Sequence, residues 1–224
     1  MTENAAREHM VREVMATGEV TDSRVADAMR RVPRHLFVPP GARDQAYLNR
    51  PQPIGRAQAI SQPLMVALMT QLAGVSPGSR VLEVGTGSGY QSAVLAELGA
   101  WVISVERHAD LAGSASRLLA SLGYGRVRVV VGDGSLGWPE NSPFDAILVT
   151  AAAPEVPPAL VGQLACPGRL VAPVGGPDVQ ALLCVRRDAS GAQHIDEHGE
   201  CVFVPLIGAA GWPPCPSEAP GRPR

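Results

Sequence analysis

The chain has 224 residues, 46% of them hydrophobic and 18% charged. That balance supports a sizeable core within one domain and excludes disorder of the whole chain. A net charge of −2 carries no electrostatic footprint for nucleic acid or an anionic membrane. The opening MTENAAREHM lacks the apolar stretch of a signal peptide, and no apolar run is long enough to cross a bilayer, so a cytoplasmic protein is expected. Cys166, Cys184, Cys201 and Cys215 are widely spaced, with no C-x-x-C pair and no Cys/His cluster. They read as free thiols rather than a disulfide framework, and no metal site is expected.

Residues 5–16 read as a short helix. Thr21 and Asp22 are both candidate caps for a second one. In it Val25, Ala28, Met29 and Val32 fall on one helical face, and Pro33 ends it. From Pro39 to Pro63 the chain has many turn-formers and little periodicity, which predicts a long irregular segment. Residues 63–74 read as a helix with Pro63 in its first turn.

From Arg80 the pattern changes. VLEV, VISVE, VRVVVGD, FDAILVT and GRLVAPV are short runs rich in Val, Ile and Leu, and helix-like segments QSAVLAELG and LAGSASRLLASLG separate the first three. Near-continuous apolar strands alternating with helices predict a parallel sheet covered on both faces, a doubly wound α/β fold. ALLCVRR and ECVFVPL, separated by a polar stretch with Gly191 and Gly199, read as an antiparallel hairpin at one end of the sheet. The division expected is residues 1–78 as N-terminal helices and an active-site loop, packed as one structural domain on a core of residues 79–210. A Pro-rich, disordered tail over 211–224 completes it.

Glu83-Val84-Gly85-Thr86-Gly87-Ser88-Gly89 follows a strand and opens a helix. Glycines there let the backbone turn tightly and approach a ligand, and the helix start offers free N–H groups. The dinucleotide fingerprint is G-x-G-x-x-G; here the third glycine comes one place early, which fits a pyrophosphate poorly. The segment resembles instead the E/D-x-G-x-G-x-G turn of class I methyltransferases, which touches the amino acid part of S-adenosyl-L-methionine. Glu106 ends the next strand and can accept from both ribose hydroxyls, with Arg107 beside it. Asp133, in Gly132-Asp133-Gly134, ends the third and can accept from the adenine amino group. Glu83 lies near the cofactor's cationic amino group or holds the loop by accepting backbone N–H bonds. His9, His35, His108, His194 and His198 sit in no catalytic motif and read as surface or structural.

Residues 53–63, Pro-Ile-Gly-Arg-Ala-Gln-Ala-Ile-Ser-Gln-Pro, resemble the PIG-x-x-Q-x-IS-x-P signature of protein-L-isoaspartate O-methyltransferases. The likeness extends through Val32-Pro33-Arg34-His35-Leu36-Phe37-Val38-Pro39, Ala46-Tyr47, residues 81–91, Val105-Glu106-Arg107, residues 144–154 and Phe203-Val204-Pro205-Leu206. It implies a Rossmann-like class I methyltransferase with an N-terminal helical extension, using S-adenosyl-L-methionine and releasing S-adenosyl-L-homocysteine. By resemblance the enzyme methylates the free α-carboxyl of L-isoaspartyl residues in damaged proteins and peptides. The ester then closes to a succinimide, whose hydrolysis returns some normal aspartate.

The family's active-site serine falls on Ser61, whose hydroxyl can hold one carboxylate oxygen in line with the methyl group. Read without the resemblance, Ser61 is a cap for the helix at Pro63. Ala59 and Ile60 are expected beside the cofactor, with Gly134 on the adenine side. Phe203, Val204, Pro205 and Leu206 are expected to present backbone groups to an extended substrate. Ala59 stands where family members commonly have Thr. The expected state is a monomer. Two rival readings are a methyltransferase dedicated to one natural-product precursor peptide and a non-catalytic S-adenosylmethionine-binding module.

Overall fold

The computed structural model describes residues 2–214. Helix α1 spans Glu3–Ala16 and α2 Ser23–Arg31. Of the two candidate caps for α2, Asp22 is the one used: its carboxylate accepts from Arg24 N at 2.9 Å. Val25, Ala28 and Met29 are buried as the helical spacing requires, and the chain leaves the helix at Val32, before Pro33.

The expected irregular segment contains ordered structure. A 3-10 turn covers Pro40–Gln45, and strands β1 (Gln52–Gly55) and β2 (Gln58–Ile60) form an antiparallel hairpin. Its two-residue loop is Arg56-Ala57, with φ of +53° at both positions. That is the geometry of the tight hairpin turns normally built from Asn-Gly or Gly-Gly. Helix α3 (Pro63–Ala73) follows, ended by Gly74 in the left-handed region, φ +64°.

The core alternates β3 (Arg80–Val84), α4 (Tyr90–Glu97), β4 (Trp101–Glu106), α5 (Ala109–Ser121) and β5 (Val127–Val131). Then come β6 (Phe144–Val149), the short α6 (Pro158–Gly162), β7 (Leu164–Gly175), β8 (Gln180–Arg187) and β9 (Gln193–Cys201). Seven strands form one sheet in the order β5-β4-β3-β6-β7-β8-β9, parallel from β5 to β7 and antiparallel from β7 to β9. Order reverses at β3, between β4 and β6, so the crevice at the carboxyl ends of these strands is where a ligand is expected.

Period-two alternation sorts the strand side chains onto two faces. Val81 and Val102 join the cluster built on α1 to α4, whereas Leu82, Val84 and Val105 join a second cluster with Leu160 of α6 and Leu206. Glu83, Ser104 and Glu106 therefore point to the α4 side.

The C-terminal hairpin is real, but its second strand is not ECVFVPL. Asp188 Oδ1 accepts from Ser190 N at 2.8 Å and Ala192 N at 3.1 Å, closing a turn directly after β8. Arg187 then pairs with Gln193, and the polar stretch becomes the edge strand β9. The apolar residues after Cys201 leave the sheet and run beside the segment following β6. There Ala152 N donates to Val204 O and Leu206 N to Ala152 O, both at 2.8 Å. The start of the expected disordered tail is hydrogen-bonded, since Trp212 N donates to Leu206 O at 2.7 Å. Residues 215–224 of that tail lie outside the described residues. Cys166, Cys184 and Cys201 are free thiols. Among the described residues no helix is long and apolar enough to cross a membrane.

Candidate active site

Where β3 ends, Gly85 adopts φ +95°, and a Cβ there would lie 2.4 Å from Thr150 Oγ1. That hydroxyl donates to Gly85 O at 2.7 Å and lies 3.0 Å from Val84 O, binding the Gly-rich turn to the end of β6. Only glycine satisfies both the backbone conformation and this approach. Gly134 is similarly confined, since its Cβ would meet Val84 Cγ1 at 2.6 Å.

Glu106 is buried at the end of β4. Its Oε2 accepts from Gly87 N and its Oε1 from His108 N, each at 2.9 Å. These bonds fix the carboxylate plane and leave each oxygen a second lone pair for a ligand. Glu106, not Glu83, is thus the residue that holds the loop.

Glu83 is fully buried beneath α4. One oxygen accepts the Ser92 hydroxyl, and the other, Oε1, has no hydrogen-bond partner. Burial pushes its pKa up to about 7; the hydroxyls of Ser92 and Ser104 counter this and the nearby Glu106 charge adds to it.

The hairpin β1–β2 roofs the Gly-rich turn. A Cβ on Gly87 would lie 3.3 Å from Ile54 Cδ1, and Arg56 Nε bonds Asp110 Oδ2 at 2.8 Å at the start of α5. The roof, the turn, Thr150-Ala151 and the segment Val204–Ile207 enclose one cleft. Its space, open mouth included, is about 800 Å³.

Ser61 follows β2 at the wall of this cleft. It does not cap α3: the N-cap position belongs to Gln62, and Asn49 Oδ1 accepts from Leu64 N at 3.0 Å instead. The Ser61 hydroxyl makes no hydrogen bond among the described residues.

Of the residues expected at the site, Ala59, Ile60, Ser61, Glu83, Gly85, Thr86, Gly87, Ser88, Glu106, Arg107, Gly134, Val204, Pro205 and Leu206 line the cleft. Three do not. Gly89 faces α5, where a Cβ would lie 3.1 Å from Leu119 Cδ1, so it serves helix packing. Asp133 has both oxygens committed within the protein: Oδ1 accepts from Ser135 N at 3.0 Å and Oδ2 from Ala209 N at 2.7 Å. Phe203 packs on the core, its N–H donating to Gln180 Oε1 at 2.8 Å. The sequence reading passed over Thr150, Tyr90 and Gln91, which also line the cleft. The place of Thr150, just past the strand beside the reversal in strand order, was the available signal.

The polar groups suit S-adenosyl-L-methionine. A carboxylate fixed at the end of β4 matches a ribose diol. The orphaned Glu83 Oε1 is a buried acceptor with nothing to accept from, and a cationic amino group supplies what it lacks.

The model of the family Protein-L-isoaspartate(D-aspartate) O-methyltransferase (PCMT) matches residues 5–211. A protein-L-isoaspartate O-methyltransferase of Syntrophus aciditrophicus is 52% identical over 195 residues, which is 86% of this chain and 89% of that one. A solved protein-L-isoaspartate O-methyltransferase superposes with a TM-score of 0.80 at 29% identity, covering 92% of this chain and 67% of that chain. A Plasmodium falciparum structure described as a protein-L-isoaspartate O-methyltransferase in complex with S-adenosyl-L-homocysteine gives 0.79 at 26% identity. That match covers 90% of this chain and 98% of the other.

Proposed function

Because this chain belongs to the protein-L-isoaspartate(D-aspartate) O-methyltransferase family, we propose that it methylates the free α-carboxyl of L-isoaspartyl residues, with Ser61 orienting that carboxyl. The observation that carries the assignment of Ser61 is its hydroxyl, uncommitted to any helix cap, at the wall of a cleft otherwise furnished for the cofactor.

When bound, S-adenosyl-L-methionine supplies a methyl carbon activated by a sulfonium. Held by Glu106 and Glu83, the group would give its methyl to a carboxylate oxygen and keep the electron pair of the carbon–sulfur bond, with no proton to move. The α-carboxylate is ionised at neutral pH and needs no base, so the protein's task is alignment and exclusion of water. Glu106 accepts the ribose hydroxyls and Glu83 Oε1 faces the amino group. Ser61 Oγ donates to one carboxylate oxygen and leaves the other directed at the methyl carbon.

Val204 O and Leu206 N are already committed to Ala152. In this reading the backbone at Pro205, which lines the cleft, meets the extended peptide, a contact blind to flanking side chains. The methyl ester then closes to a succinimide without further help from the enzyme, which makes the reaction the first step of protein repair.

We read the enzyme as a cytoplasmic monomer; the free thiols suit a reducing compartment. No observation favours a dedicated precursor peptide or a module without catalysis.

The test is methyl transfer to two peptides of equal sequence, one isoaspartyl and one with normal aspartate. Base-labile label is expected on the isoaspartyl peptide alone. Ser61→Ala is expected to lower turnover about 10-fold or more with S-adenosyl-L-homocysteine affinity nearly intact. Undiminished turnover in that variant would remove the role given to Ser61.

A further inference from the structure

Arg34 stands in the Val32–Pro39 block and has no part in the site as described so far. It is the largest fully buried side chain described, with no solvent exposure. Its Nε donates to Ala46 O and its Nη2 to Ser61 O, both at 2.7 Å. The guanidinium carbon lies 4.6 Å from the centroid of the Tyr90 ring, in the first turn of α4. Its Nη1 has no hydrogen-bond partner, and no carboxylate pairs with it among the described residues.

A guanidinium taken wholly out of water, satisfied by two carbonyls and an aromatic face, is costly. Packing alone does not require it, since an apolar side chain of similar volume fills such a space at less cost. The charge therefore needs another reason, and its contacts supply one. A single fork grips the main chain of Ser61 from behind while its face rests on the helix that opens from the Gly-rich turn. The serine and the cofactor loop are registered to each other through one rigid planar group. The ligand expected at the Ser61 hydroxyl is an anion, and the nearest buried charge of opposite sign is one residue's backbone away.

We propose that Arg34 is a positioning residue for methyl transfer. Through the Ser61 carbonyl it fixes the hydroxyl that holds the substrate carboxylate, and its unpaired charge favours that carboxylate's binding. The inference rests on the role given to Ser61 above.

The test uses the full chain with Arg34→Lys, which keeps the charge and loses the fork, and Arg34→Met, which loses both. Each is also combined with Ser61→Ala. Steady-state kinetics on the isoaspartyl peptide are read beside calorimetric affinity for S-adenosyl-L-homocysteine. Arg34→Lys is expected to lower kcat about 10-fold with KM for the peptide within about 2-fold. Arg34→Met is expected to lower kcat similarly and to raise KM for the peptide 5-fold or more. Homocysteine-product affinity stays within about 3-fold in both. In the Ser61→Ala background Arg34→Lys is expected to cost less than 2-fold further, since the two act as a unit.

Full, multiplicative losses in the double variant would overturn the proposal, as would unchanged kcat and KM in both single variants. A parallel loss of product affinity or of folding in Arg34→Lys would assign Arg34 to the fold alone and equally overturn it. Failure of the reading of Ser61 is distinguishable, because it shows as undiminished turnover in Ser61→Ala by itself.

Discussion

Glu83 shows how one buried side chain makes the site sensitive to pH. Its carboxyl titrates near pH 7 in the folded chain, against about 4.3 for the ordinary glutamate of an unfolded one. Between these values the folded state holds a proton that the unfolded state has released. Stability from this group is fully present below the unfolded value and falls as pH rises through the folded one, by about 4 kcal/mol in all. A urea midpoint that drops between pH 4.5 and 7.5, with a shallower drop in Glu83→Gln, is the expected result; equal slopes would mean an ordinary carboxylate. The cofactor's amino cation favours the ionised form, so its binding releases a proton. Affinity for S-adenosyl-L-homocysteine should accordingly rise with pH up to about 7 in the wild type and stay flat in Glu83→Gln. The acidic residue before the Gly-rich turn was visible in the sequence. Its burial was not, because nothing in the sequence places Ser92 of α4 over Glu83.

Among the elements, the hairpin over the cleft was the hardest to read. Two-residue hairpin loops usually announce themselves by Asn-Gly or Asp-Gly, and Arg56-Ala57 carries neither signal although both residues take positive φ. Ala57→Gly relieves the left-handed strain at one of them and should raise Tm by roughly 1–3 °C. A thermal melt showing no gain, or a loss, would mean that Gly's extra unfolded-state freedom outweighs the strain. The C-terminal hairpin was legible in kind but not in register. ECVFVPL has the better strand composition, yet the Asp188 turn closes too soon to reach it. Turn geometry decided the pairing, and edge position let a polar segment serve as strand. That same shift frees Val204–Leu206 to reach the cleft. Ser61 illustrates the opposite case: its sequence position before Pro63 invites a capping role, and in the fold Asn49 meets the helix start instead.

For the whole molecule, the doubly wound core was legible because buried parallel strands read as unbroken apolar runs. Glu83, Gly85, Glu106 and Gly134 converge for the same reason, as each sits at a strand's carboxyl end. Asp133 has the same placement, but its oxygens are held by three hydrogen bonds from Ser135 and Ala209.

The strand β9 carries a consequence for the company this protein keeps. An unfolded chain can pair its backbone with the exposed ladder of an edge strand. Among the described residues β9 pairs only with β8 and presents such a ladder over nine residues. Along it Glu197 and Glu200 are exposed, while Asp196 is half-buried and paired with Arg186 at 2.6 Å, and charge on an edge discourages further strands. Replacing Glu197 and Glu200 together by Thr should leave methyl transfer nearly unchanged and raise light scattering when the enzyme is mixed with an unfolded protein. Scattering equal to that of the wild type would show that the edge is guarded by other means. The edge charges thus bear on association and not on methyl transfer.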